Sequence, residues 1–215
     1  MTGKMHGGGE GKTSQHRDLY RKVLLRRNLL RGLGEGAAYV PFIGDGDIAV
    51  QVYIDREIFG ADLDGARVKV AAGRISAEQG PDSPSILRVS DCDTWPFADM
   101  KVGPLAVGDF DSYSYPYDSF RAAWAGGDWA KRCVLFFTDA QRMAIYRAGR
   151  WRWPEGSEGQ GDTRGEKEAA GGLYFARHVL PWFAAYVKPY RVVRKLGYSS
   201  GSTRLVYWGA LIERT

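Results

Sequence analysis

The feature that most constrains this chain is an alternation, repeated five times from residue 38 onward, of a short apolar run with a stretch of helical periodicity. The runs 38–43, 58–61, 85–89, 105–108 and 133–138 read as strands, and helical connectors begin near Asp47, Asp64, Thr94, Pro116 and Ala140. Strands joined through helices pair in parallel, so the expectation is an α/β domain with helices on both faces of a doubly wound sheet. Residues 173–187 continue as an amphipathic helix with Pro181 as its kink, and 190–196 and 204–212 read as two further strands. The Gly- and Ser-rich residues 197–202 join those two, so the seven-stranded sheet closes with a C-terminal antiparallel hairpin. A chain of 215 residues holds one such domain and no sizeable second one. The organisation expected is a disordered tail over 1–13, a basic helix over 14–36, and the α/β domain over 37–215 with a flexible polar loop at about 149–167.

Composition narrows the function classes. Apolar residues make up 44% of the chain, and no run reaches the roughly 20 apolar residues of a membrane span, so no membrane partner is expected. Residues 1–13 lack the apolar centre of a secretory signal, which makes the cytoplasm the expected compartment. Cys92 and Cys133 have no Cys or His neighbours at ligand spacing, so no metal is expected and both read as buried hydrophobes. The string from Gly9 to Thr13 is not a phosphate loop, because His6 stands where its first glycine belongs and no strand precedes it. Net charge is +5, and residues 1–36 carry all of it, with eight Lys or Arg against three acids. A cationic segment beside a neutral body points to nucleic acid ahead of a membrane, with Arg17 and Arg21 as contacts. A solvated helix face is the bland alternative.

Three strand ends carry the binding chemistry. After the first strand the chain reads Phe42-Ile43-Gly44-Asp45-Gly46-Asp47, a turn in which residues without Cβ let the backbone approach a ligand. The second strand ends Asp62-Leu63-Asp64, sixteen residues past Gly46, where a carboxylate accepts hydrogen bonds from a ribose diol. The third ends Asp91-Cys92-Asp93 before Trp95 and Phe97, an acceptor for an exocyclic amine beside groups that flank a flat base. A nicotinamide dinucleotide fits less well, because its fingerprint requires glycine where Ala49 stands. In order and spacing, Gly44-x-Gly46, Asp62 and Asp91 resemble the class I methyltransferases, as does the ending of a helix and a terminal hairpin. The resemblance runs from Tyr39 to the C-terminus and implies a Rossmann-like fold and S-adenosylmethionine as cofactor. It implies cofactor contacts from Phe42, Gly44, Asp45, Gly46, Asp62, Leu63, Asp91, Cys92 and Asp109. Val40 departs from the pattern, which places an acid about there, and Asp45 or Asp47 is expected to serve the methionine amino group instead.

After the fourth strand comes Asp109-Phe110-Asp111-Ser112-Tyr113-Ser114-Tyr115-Pro116. Methylating an exocyclic amine requires an acceptor that orients the N–H and an aromatic surface that holds the base flat, which Asp111 and Tyr113 supply. This stretch resembles the D-P-Y-G-S-P segment of the tRNA guanine dimethyltransferases through Asp111, Tyr113 and Pro116, while Ser112, Ser114 and Tyr115 differ. Phe136-Phe137-Thr138-Asp139 and the stretch from Lys188 to Val192 are also similar to that family. The resemblance implies an exocyclic amine in RNA, tRNA guanine first, with Asp111, Tyr113 and Asp109 catalytic and Tyr115 and Pro116 against the substrate. Arg150 and Trp151, in a run where tryptophans alternate with arginines, suit phosphate contact and base stacking; closing the sheet edge suits Trp151 equally. The other readings are a DNA amino-methyltransferase, a small-molecule methyltransferase, and a nucleic-acid-binding module that has lost activity. A further alternative makes Asp109, Asp111 and Asp118 capping and surface acids, with the tyrosines as packing. Pyrimidine C5 chemistry is disfavoured, since neither cysteine stands in the loop it requires.

Overall fold

A computed structural model of the protein describes residues 18–112, 114–200 and 204–215. Nine strands and seven α-helices are described: α1 (Leu19–Leu30), β1 (Ala37–Pro41), α2 (Asp47–Val52), β2 (Ile58–Asp62), α3 (Gly65–Gln79), β3 (Ile86–Val89), β4 (Leu105–Phe110), α4 (Tyr117–Gly126), β5 (Trp129–Asp139), α5 (Gln141–Ala148), β6 (Arg150–Arg152), β7 (Glu158–Gln160), α6 (Arg164–Leu173), α7 (Leu180–Tyr186), β8 (Tyr190–Ser199) and β9 (Val206–Arg214). A π-helical segment, Tyr174–Val179, links α6 to α7. Seven strands form one sheet in the order β3-β2-β1-β4-β5-β9-β8, with β1 to β5 parallel and β9 antiparallel to both β5 and β8. The seven-stranded, mostly parallel sheet with its terminal antiparallel pair is the architecture the alternation implies.

Each face of the sheet has its own core. Leu25 and Leu29 of α1 pack with Ala49, Ala71, Val107, Phe136 and Leu211 on one side, and Phe110, Phe120, Phe137, Phe183 and Trp208 on the other. Helix α1 lies against β9 and β8. Gly209 makes that approach possible, since a Cβ there would come within 2.8 Å of Leu29 Cδ1. Asp64 starts α3 by accepting hydrogen bonds from the amides of Ala66 and Arg67, satisfying two of the donors a helix N-terminus leaves open.

Two expectations about local structure change. No helix follows β3: Thr94 lies in a turn, its hydroxyl donating to the Asp91 carbonyl at 2.9 Å. Residues 149–167 are not one long loop. Strands β6 and β7 pair within them, and a capping box between Thr163 and Glu166 opens α6. Trp151 explains the hairpin, because Gly159 opposite leaves room for its indole. The tail over 1–13 lies outside the described residues, as do Arg17 and Tyr113.

Candidate functional site

The turn after β1 bends through three left-handed residues, Phe42 (φ 58°), Gly44 (φ 55°) and Gly46 (φ 80°). Gly46 is also required by packing, since a Cβ there would sit 3.1 Å from that of Ala71 in α3. Asp62, the last residue of β2, meets this turn: its carboxylate accepts from the Gly44 amide at 3.0 Å and from the Asp64 amide at 3.0 Å. Cys92 ties in the third strand end. Its Sγ accepts from the Phe42 amide at 3.3 Å, while the Ser90 amide donates to the Asp62 carbonyl at 3.0 Å. Tertiary folding therefore gathers Gly44, Asp62, Asp91 and Cys92 in one place. Burial pushes the Cys92 thiol up to about 12, so it acts as a brace and not as a nucleophile. Asp91 and Leu63 remain exposed beside it.

A hollow of about 100 Å³ lies between this turn and β4, bounded by Gly44, Asp45, Asp47, Asp111, Arg67 and Lys22. Asp45 accepts a hydrogen bond from Arg67 at 3.1 Å, and Asp47 accepts one from Arg74 at 2.7 Å. The Arg67 guanidinium lies 3.0 Å from where a Gly44 Cβ would stand, so a ligand reaching the turn requires that side chain to swing outward.

The wall opposite is built by α1. Arg26, 1% exposed, donates to both oxygens of Asp109 at 2.6 Å, and the Tyr53 hydroxyl adds a third bond at 2.6 Å. Lys22 Nζ spans both oxygens of Asp111 at 2.7 and 2.8 Å, and the Thr138 hydroxyl donates to the same carboxylate. Burial opposes ionisation of Asp111, but Lys22 and Arg26 outweigh it and hold its carboxyl below the usual range. Both carboxylates line the hollow, Asp109 fully buried and Asp111 with a side chain 15% exposed. Sequence reasoning missed Lys22, Arg26, Tyr53 and Thr138. A signal was present: Lys22 and Arg26 fall with Leu25 and Leu29 on the i, i+3, i+4, i+7 face of α1, and two cations inside an apolar stripe require buried acids.

The other candidates divide between buried and exposed positions. Tyr115 is 7% exposed and its hydroxyl donates to the carbonyls of Trp153 and Pro154, anchoring the β6–β7 hairpin. Pro116 is buried at the start of α4, and Trp151 is buried beneath the same hairpin. Arg150 is exposed, and Arg21 lies exposed on α1 with its guanidinium 6.0 Å from the Tyr198 ring. Asp118 caps nothing; it pairs with Arg121 and Arg152. Among the described residues no group of His, Cys, Asp and Glu is placed to hold a metal, and no helix is long and apolar enough to cross a membrane.

Next to Thr138, Asp139 is buried and accepts from the Tyr117 hydroxyl at 2.6 Å and the Gln141 amide at 2.7 Å. Burial pushes its carboxyl up to about 6 despite those bonds. Folding then takes up a proton between the ordinary carboxylate range and about 6, so this group's contribution to stability is lost as pH rises through that window. Asp139→Asn lacks the dependence. Urea unfolding should show the variant gaining about 2 to 3 kcal/mol on wild type from about pH 4 to pH 7.5, and a constant difference would assign Asp139 an ordinary pKa.

Comparison with known proteins agrees with this architecture. No protein-family profile matches the chain, and no curated protein sequence matches it. Solved structures do. Trm1 from Pyrococcus horikoshii in complex with S-adenosyl-L-methionine superposes with a TM-score of 0.63 at 12% identity, over 92% of this chain and 55% of that one. Magnesium protoporphyrin IX methyltransferase from Synechocystis PCC 6803 with bound SAH gives 0.59 at 10% identity, over 96% of this chain and 90% of that one. The M. jannaschii tRNA m1G37 methyltransferase gives 0.57 at 10% identity, over 89% of this chain and 48% of that one. At such identities the likeness is one of fold: the chain has the fold of the class I methyltransferases. This chain spans about half the length of the Trm1 and tRNA m1G37 methyltransferase structures.

Proposed function

We propose that the protein is an S-adenosylmethionine-dependent methyltransferase whose acceptor is an exocyclic amine of a base in RNA, with tRNA guanine the first candidate. The observation that carries the reading is the meeting of Asp62 with the Gly44 turn at 3.0 Å, a carboxylate and a glycine bend from neighbouring strands at the carboxyl end of the sheet. The residues fit the cofactor. Asp62 retains acceptor capacity toward a ribose diol beyond the two amides it holds, and the exposed Asp91 stands at the adenine position. The hollow pairs a cation, Lys22, with the acids Asp45 and Asp47, as a zwitterionic amino-acid end requires. S-adenosylmethionine supplies a methyl group made electrophilic by its sulfonium.

The chain's own part is positioning. Asp111, ionised and fixed by Lys22 and Thr138, accepts an N–H of the amine and directs its lone pair at the methyl carbon. A strong base is not required, because the amine becomes acidic only once it carries the methyl group. Tyr113 would hold the base flat. Arg21 and Arg150, both exposed, would make phosphate contacts, and so would Arg17.

Calorimetry tests the cofactor half. S-adenosylmethionine should bind with micromolar-scale affinity, and Asp62→Ala should weaken it by ten-fold or more, about 1.5 kcal/mol. Absence of heat with the unaltered protein would refute an enzyme reading. Tritium transfer from labelled cofactor to tRNA, ribosomal RNA, DNA or a small-molecule panel then decides the acceptor. A second reading, a binding module on an inactive scaffold, is favoured by the closure of Asp109 behind Arg26 and Tyr53; it requires that no acceptor be labelled.

A further inference from the structure

A second cavity, of about 400 Å³, opens between the start of α5, the π-helical segment and the hairpin ends of β8 and β9. Phe175, Leu180 and Trp208 give it apolar walls, and Arg142 and Lys195 its polar ones. Arg142 Nε is shut off from solvent without a hydrogen-bond partner among the described residues. Arg142 and Lys195 make no ion pair with any described acid. Buried donors are nearly always satisfied in native proteins, so an arginine with its Nε unmet on an otherwise apolar cavity, with Lys195 beside it, points to an anionic ligand with an apolar body.

The cavity opens at the same edge of the sheet as the proposed acceptor site. Asp139 and Ser199 both pair with Val206, which puts it at the carboxyl end of β5, the end where ligands of such sheets collect.

We propose that this cavity binds a nucleoside monophosphate unit of the substrate RNA adjacent to the target base, its phosphate on Arg142 and Lys195 and its base against the apolar wall. The proposal rests on the RNA reading above. Two cations match a phosphate, and the planar guanidinium of Arg142 offers it parallel N–H donors.

Calorimetric titration of AMP, GMP, CMP and UMP, each beside its nucleoside and beside octanoate, tests this on the full chain. At least one monophosphate should bind ten-fold or more tighter than its nucleoside. Arg142→Ala and the exposed Lys195→Ala should each weaken it at least five-fold, with S-adenosylmethionine affinity unchanged. Equal binding of nucleoside and monophosphate, binding of octanoate alone, or no binding by any of them would overturn the proposal. Monophosphate binding that both variants lose, with no tritium reaching RNA, leaves a mononucleotide site and removes only the RNA reading. Tritium reaching RNA without monophosphate binding removes only the cavity's role.

Discussion

Replacing Arg26 with methionine should cost the protein about 3–5 kcal/mol of folding stability, the largest effect expected of any single substitution here. Arg26 and Asp109 are both essentially inaccessible, joined by two bonds of 2.6 Å, and the guanidinium also donates to the Lys22 carbonyl at 3.1 Å. Without Arg26 the carboxylate keeps the Tyr53 hydroxyl but no cation, and a buried charge stripped of its partner is costly. The pair itself is worth far less than its loss, since bringing two ions out of water offsets most of their attraction. Arg26→Met combined with Asp109→Leu should therefore recover most of the lost stability, while Asp109→Leu alone should not. Urea unfolding of the four proteins checks this, and an unchanged midpoint for Arg26→Met would mean that α1 does not dock on the sheet.

Asp111→Asn should lower methyl transfer about 100-fold while changing S-adenosylmethionine affinity less than three-fold. Asparagine keeps the side chain's shape but turns an acceptor-only carboxylate into a group with one acceptor oxygen and an NH₂ facing Lys22. What is lost is the anion that orients the amine, which matters in the transition state more than in cofactor binding. Single-turnover tritium transfer separates the two quantities. Because Lys22 and Arg26 hold the Asp111 carboxyl below the usual range, it is ionised throughout mildly acidic conditions. Any decline in wild-type rate near pH 6 should then vanish in Asp139→Asn, the buried neighbour that titrates at about 6. Full activity in Asp111→Asn would end the proposed chemistry.

Much of this was legible because it is local. The apolar runs of β1, β2, β4 and the second half of β5 are continuous because strands covered on both faces have no solvent side, and each stands out against the connectors that follow. Gly44, Asp62 and Asp91 were identifiable because a doubly wound sheet places successive strand ends on one edge, so sequence spacing maps onto space. Residues 149–167 misled because their glycine and charge content resembles a linker. The hairpin depends on one indole fitting over Gly159, a contact that composition does not record. Tyr115 and Trp151 were open to two uses, and the structure leaves each only 7% exposed, packed under the β6–β7 hairpin.

The chain's own pattern determined the class of fold, the edge of the sheet where chemistry sits, and the acids gathered there, since all three follow from periodicity and from order along the chain. Only the tertiary structure decided what those acids face. Lys22 reaches Asp111 across 89 residues and Arg26 reaches Asp109 across 83, contacts that depend on α1 crossing β9 at Gly209. Excess positive charge in the N-terminal segment looks the same in sequence whether it is turned toward water or inward. Packing of Leu25 and Leu29 on the sheet fixes which, and so turns two cations of α1 into counter-ions of the site and leaves Arg21 outside.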